Sequence, residues 1–439
     1  MGSAPWKTRL VALGVVAMVA TTAVACSSSS SSATTTSSGS GGSSSGSSKI
    51  PSSAFSNHTG ITSSSVRVAN VSTLAVGGLF KGALVGTEAY AAYVNSTGGV
   101  DGRKITVDSA DDGFSGAGNK QATQNAITND FSLVGGFSLQ DSFGGQLLAA
   151  NPGMPDVSVV LDSTTNKLPN VYSAVPLNGG WEEGPLQYYK SKFPNDVKAV
   201  GTVVSDQASA LKDWAGQKYA MQQVGYKILY DPSVPVSQTD YTPNVIAMKN
   251  AGVKMLFLSQ LPQNYASAML KDLHQQNFHP LVILSSANYS NDLVSAAGGP
   301  QAVDGALFDQ ETSLFLGQDA ANIPAVGLFN KWVQKTSPGF KTDLFTLYGW
   351  LSAELFSQAL KNAGSDPSRG SLLQALSKIT TFSGNNIIAP NNPAAKTVGN
   401  CYLLGQVANG QYERTSDPAV DSSTSGYRCD YKYITPPAS

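Results

Sequence analysis

Residues 96–112 read STGGVDGRKITVDSADD, and their order decides the fold. The preceding stretch KGALVGTEAYAAYVN (81–95) puts Val85, Ala89, Ala92 and Tyr93 on one helical face. Gly98 and Gly99 end that helix by supplying a left-handed cap, a conformation that residues bearing a β-carbon avoid. Asp101-Gly102 makes a second tight turn. It drops the chain into a strand, KITVDSA (104–110), which finishes on Asp111 and Asp112. With the β-branched run VRVANVS (66–72) ahead of the helix, the stretch completes a strand–helix–strand unit.

The same alternation continues outward. A helix near 116–128 leads to a strand FSLVGGFS (131–138), and a helix near 142–150 leads to DVSVVLDS (156–163). The pattern restarts at KAVGTVVSD (198–206), with further strands at YKILYD (226–231), VKMLFLSQL (253–261) and LVILSSA (281–287) separated by helical stretches. Three amphipathic helices follow, within IPAVGLFNKWVQK, LYGWLSAELFSQALKNAG and SLLQALSKI. Strands that alternate with helices predict an α/β chain of two Rossmann-like lobes with parallel sheets.

The chain has 439 residues, a net charge of -1 and 41% hydrophobic residues, enough for two cores. A near-neutral balance gives no electrostatic reason to expect nucleic acid as a partner. At the N-terminus Lys7 and Arg9 precede the apolar run LVALGVVAMVATTAVA, too short for a comfortable membrane span, which stops at Cys26. This resembles a bacterial lipobox, although Ala23 stands where leucine is usual. The expectation is a signal peptide over 1–25, lipidation of Cys26 and a Ser-rich tether over 26–60. An ordinary secretory peptide cut near Ala25 is the other reading. Cys401 and Cys429 then form an even pair in an oxidising compartment, either as a disulfide or as two buried thiols, and the disulfide is favoured.

Catalytic patterns are missing. Ser138 lies in GFSLQ, which lacks the second glycine of a nucleophile elbow. His274 and His279 lie in DLHQQNFHP with no third ligand nearby. No enzyme activity, cofactor or metal is expected.

The order GG-x-x-GRKI, then a strand, then DD resembles the first strand–helix–strand unit of the branched-chain amino-acid (Leu/Ile/Val) type of solute-binding lipoprotein. These proteins have the type I periplasmic binding-protein fold and serve ABC importers. The resemblance runs from about 61 to 415 and includes the LVGG strand, the VVSD strand and the terminal LLGQVANGQY pair. It implies two lobes joined by a three-crossing hinge, closing over a ligand. Lobe one is expected over 61–177 and 313–385, and lobe two over 178–308 and 390–439. Asp111 and Asp112 are read as structural, capping the next helix or holding a loop.

The resemblance also implies a site at the carboxyl ends of the lobe-one strands, in FSLQDS (137–142) and LDSTT (161–165). Ser138, Leu139 through its backbone, Gln140, Ser163 and Thr164 match positions that hold a ligand carboxylate in amino-acid-binding relatives; turn chemistry is the other role open to the hydroxyls. Lobe two departs from the pattern. Ala210 stands where a tyrosine is usual, and Ser286 where an acid pairs with the ligand ammonium. Asp141, Asp162 or Asp206 could supply that charge from elsewhere, and Gln260 suits an amide or a carboxylate. Trp181 and Phe114 are candidates for an aromatic wall or for the core. The expected function is capture of a small polar organic solute of the amino-acid, amide or carboxylate class, with free branched-chain amino acids bound weakly, and delivery by an anchored, extracytoplasmic monomer to ABC permease and ATPase subunits. A ligand-sensing module acting through a separate membrane partner is the alternative.

Overall fold

The computed structural model describes residues 50–177, 181–235, 237–397, 399–415, 426–429 and 432–437. The signal sequence and Cys26 lie outside the described residues. The first sheet holds β1 (Ser65–Ser72), β2 (Lys104–Asp111), β3 (Ser132–Val134), β4 (Asp156–Val157) and β5 (Val171–Tyr172) in the order β2-β1-β3-β4-β5, all pairs parallel. Helices α1 (Lys81–Ser96), α2 (Gly116–Asn129) and α3 (Asp141–Ala150) connect its strands. β1 is central and covered on both faces, which is why its run is apolar at Val66, Val68, Ala69 and Val71. Its one fully buried amide, Asn70, is satisfied: Nδ2 donates to Val134 O (3.2 Å) and Thr87 Oγ1 (3.1 Å), and Oδ1 accepts from Ser72 Oγ (2.6 Å).

The double turn forms as its sequence demands. Gly98 and Gly99 have φ of 104° and 82°, and the Gly99 amide donates to Val94 O at 2.9 Å. Asp101 and Gly102 follow with φ of 47° and 82°, bringing Val100 opposite Arg103. The Arg103 guanidinium ties the turn down by donating to Thr62 O (2.9 Å) and Ser365 O (2.7 Å).

In lobe two, β6 (Trp181–Glu182) and α4 (Glu183–Lys192) lead to β7 (Val200–Thr202), β8 (Val204–Ser205) and α5 (Ala208–Val224). β9 (Ile228–Tyr230), β10 (Ser233–Val234), α6 (Thr242–Ala251), β11 (Met255–Phe257), α7 (Gln263–Gln275), β12 (Leu281–Leu284) and β13 (Leu307–Gln310) follow. Helices α8 (Pro324–Thr336), α9 (Leu344–Asn362) and α10 (Arg369–Leu376) come next. The chain then adds β14 (Leu403–Ala408), β15 (Gln411–Arg414) and β16 (Tyr433–Ile434). The second sheet runs β15-β14-β13-β12-β11-β7-β9, parallel except at its β13–β14 and β14–β15 pairs. The β14–β15 hairpin turns on Asn409-Gly410 with positive φ at both, the primed turn that suits twisted strands.

Helix α9 returns to lobe one and packs on α1 so closely that only glycine fits. A Cβ at Gly86 would sit 1.9 Å from Thr346 O, and one at Gly349 2.0 Å from Ala83 O. The chain therefore passes between the sheets three times: after β5, after β13 and before β14. The second and third passages run side by side, with Ser313 N donating to Ile387 O and Ala389 N to Glu311 O, both at 2.7 Å. Cys401, just before β14, is joined as a disulfide to Cys429, which follows β15, with Cα atoms 4.1 Å apart.

Candidate ligand-binding cleft

The loops after β3 and β4 carry the lobe-one candidates, and most of their polar atoms face inward. Asp112 is buried at the end of β2. Its Oδ2 accepts from Ser138 Oγ and from Asn119 Nδ2 (3.2 Å), and its Oδ1 from Phe114 N (2.8 Å). Ser138 Oγ in turn accepts from Gln140 N at 2.9 Å. The Ser138 hydroxyl is thus engaged within the loop, the turn role left open by its sequence. Leu139 and Gln140 are half-buried beside it. Asp111 behaves like its neighbour. Partial desolvation pushes it up, but backbone N–H groups of Gly113, Leu74 and Ala75 together outweigh that and hold its carboxyl below the usual range.

Asp141 joins the two loops. Its Oδ2 accepts from Leu161 N (2.5 Å) and Asp162 N (3.0 Å). Desolvation outweighs these bonds and raises its pKa to about 6. Asp162 caps the helical turn Ser163–Asn166, accepting from Thr165 N and Thr165 Oγ1, both at 2.8 Å. Ser163 is half-buried and Thr164 exposed. Behind the loops lies a cavity of about 40 Å³ lined by Ser138, Asp141, Asp156 and Ser158. It has room for water but not for an organic solute, whose pocket needs several hundred cubic ångströms. A larger concavity, about 360 Å³, lies between α9 and α10. It sits away from the strand ends where a ligand of this fold is expected.

On the lobe-two side, Asp206 is exposed after β8, and its amide donates to Val234 O at 2.8 Å. Gln260 is buried after β11 and donates to Asp213 Oδ2 and Gln217 Oε1, both at 2.9 Å. Ser286 opens the short turn Ser286–Asn288, whose cap is built by Ser285 and Asn288. Ala210 and Trp181 are partly buried against the lobe-two core, so Trp181 takes the core role. Among the described residues, a hydrogen bond crosses directly from this lobe to the lobe-one loops: Lys212 Nζ, on α5, donates to Ser163 Oγ at 3.1 Å.

Two features escaped the sequence reading. Lys212 is one; a lysine near the start of an amphipathic helix reads as solvated surface. The other is an acidic set at the second passage. Glu182, Asp309 and Glu311 are half-buried yet strongly desolvated. Desolvation, reinforced by the other two carboxylates, pushes Glu182 well up. Asp309 is raised to about 7 by desolvation against a hydrogen bond from Tyr189 OH (2.9 Å). Glu311 is also raised by desolvation and accepts from Tyr348 OH at 3.3 Å. The acids at the end of LFDQE, two residues apart on a strand end, were the available signal.

Strand ends from a parallel and a mainly parallel sheet, three passages and a polar contact across the lips define a two-lobed solute-binding protein of the type I fold. The chain belongs to the periplasmic binding protein family, whose profile matches residues 68–411. It is 25% identical over 290 residues to the Leu/Ile/Val-binding protein homolog 1 of Brucella melitensis biotype 1, covering 64% of this chain and 73% of that protein. Among solved structures, a branched-chain amino acid ABC transporter protein from Thermus thermophilus with bound valine superposes with a TM-score of 0.69 at 13% identity. That match covers 80% of this chain and 96% of the other. A solute-binding protein of an ABC transporter from R. palustris in complex with benzoate gives 0.67 at 17% identity, covering 85% and 98%.

Proposed function

We propose that this protein is an extracytoplasmic lipoprotein that captures a small organic solute between its lobes and hands it to an ABC permease. The observation that carries this is the opposition of the two sets of strand-end loops, bridged by Lys212 and Ser163. The ligand lies between FSLQDS and LDSTT on one side and the loops after β8, β11 and β12 on the other. Gln140, Ser163, Thr164, Gln260 and Ser286 are the contacts favoured, with the Leu139 backbone. The Asp141 and Asp162 carboxylates each give one oxygen, Oδ2, to donors within the loops, which favours a role in holding those loops over that of ammonium counter-charge. The related structures support a carboxylate-bearing ligand: valine and benzoate share that group and differ in the ammonium.

Lobe closure is tested by small-angle scattering of free and ligand-saturated protein, using the compound that gives the largest thermal shift in a solute panel. The radius of gyration should fall on saturation. An unchanged radius would argue against closure. Anchoring is tested by Cys26→Ala, which should release the protein from the membrane fraction; retention equal to the parent's would remove the lipid from the proposal. The Cys401–Cys429 bond should appear as a linked pair in peptide maps made without reduction.

A further inference from the structure

We propose that Lys212 is the lobe-two contact for the ligand's anionic group, so that closure is coupled to a negative charge on the solute; this rests on the solute-capture reading above. The hydrogen bond from Lys212 Nζ to Ser163 Oγ links residues 49 apart in sequence and on opposite lobes. An ammonium has three donors and no acceptor. Once Ser163 Oγ accepts from it, the serine keeps its own proton to give, and the exposed Thr164 hydroxyl stands next to it.

None of the described carboxylates near this spot accepts from Lys212. Asp162 holds Thr165, Asp141 holds the Leu161 and Asp162 amides, and Asp213 accepts from Gln260. Lys341, which also reaches across to lobe two, meets a carboxylate there, Asp292 Oδ1, at 2.6 Å. Lys212 meets only a hydroxyl among the described residues. Lys212 therefore brings donors to the lips with no carboxylate bonded to it among the described residues. The ligand group that completes it is acceptor-only: a carboxylate. A neutral amide turns one of its own N–H donors toward the same cluster. Charge-assisted bonds are about twice as strong as neutral ones, so the lysine also sets specificity. An exposed lysine–serine contact is weak, and a carboxylate arriving between them displaces it readily.

The test uses the full chain with Lys212→Met and Lys212→Arg, titrated calorimetrically with benzoate, hexanoate and valine, with benzamide and hexanamide as neutral partners, and with hexylamine. At least one carboxylate should bind the parent, with its amide at least about tenfold weaker. Lys212→Met should weaken that carboxylate by about tenfold or more and abolish the fall in radius of gyration it causes, while Lys212→Arg keeps both. Unchanged melting of both variants in the absence of ligand shows that the effect is on binding. A carboxylate that binds Lys212→Met as tightly as the parent overturns the proposal. Binding of amides or amines without carboxylates also overturns it and leaves solute capture standing. Silence from every compound overturns it as well.

Discussion

Two sets of acids in this molecule face opposite fates. At the lobe-one loops Asp112, Asp141 and Asp162 each collect at least two hydrogen-bond donors, most of them backbone N–H groups. At the hinge passage Asp309 and Glu311 each receive a single tyrosine hydroxyl, and Glu182 faces the other two carboxylates. Desolvation raises Asp141 as it raises the hinge acids, so burial does not separate the two sets. What separates them is what they hold: the lobe-one acids are struts that tie the backbone and side chains of their own loops, whereas the hinge acids face tyrosine hydroxyls and one another.

The largest effect expected from this difference is at Asp112. Replacing it by alanine strips Ser138, Asn119 and Phe114 of their shared acceptor in a buried site. Each orphaned donor carries a desolvation penalty, and the loss should be about 3 kcal/mol. Urea denaturation measures it. A loss under about 1 kcal/mol would mean that water replaces the carboxylate and that the strut description is wrong.

The hinge set should make stability depend on pH. Asp309 has an ordinary value of 3.8 and is raised to about 7 in the folded protein. Between those values the folded state binds the extra proton, so this contribution is complete below 3.8 and fades as pH rises through about 7. Glu182 and Glu311 are raised as well and add to the same trend. Thermal unfolding should therefore fall in Tm from pH 5 to about 8. Asp309→Asn keeps an oxygen for the Tyr189 hydroxyl and should flatten part of that fall. A variant that follows the parent across the range would show that the hinge acids do not titrate as their surroundings imply.

The two regions also differ in how far the sequence discloses them. The turns at Gly98-Gly99 and Asn409-Gly410 are legible because left-handed backbone has a local cause in residue type. Strand ends are less so. FSLVGGFS reads as one strand, yet β3 stops at Val134 because Gly135 takes a φ of 70°, where a Cβ would lie 2.0 Å from Thr87 Oγ1. KAVGTVVSD breaks into β7 and β8, which pair with different neighbours. In the site, the hydroxyl of Ser138 is visible in the sequence but its direction is not. That direction is set by Asp112, which arrives from β2 and is distant in the chain. Lys212 is harder still, since its partner Ser163 belongs to the other lobe.

The smallest effect expected is the one that bears most directly on the ligand. Asp162 was a candidate counter-charge, and the fold uses it to cap the turn Ser163–Asn166. Alanine there should cost about 1 kcal/mol, a usual loss for a helix cap. Asparagine caps about as well as aspartate but carries no charge, so Asp162→Asn should leave stability within a few tenths of a kcal/mol. It should also leave the affinity for benzoate or valine, whichever binds the parent, nearly unchanged. The two variants together separate support from contact. If Asp162→Asn keeps its stability but loses about tenfold or more in affinity for valine alone, the carboxylate pairs with the ligand ammonium. The lobe-one loops would then carry charge to the ligand as well as hold their own backbone.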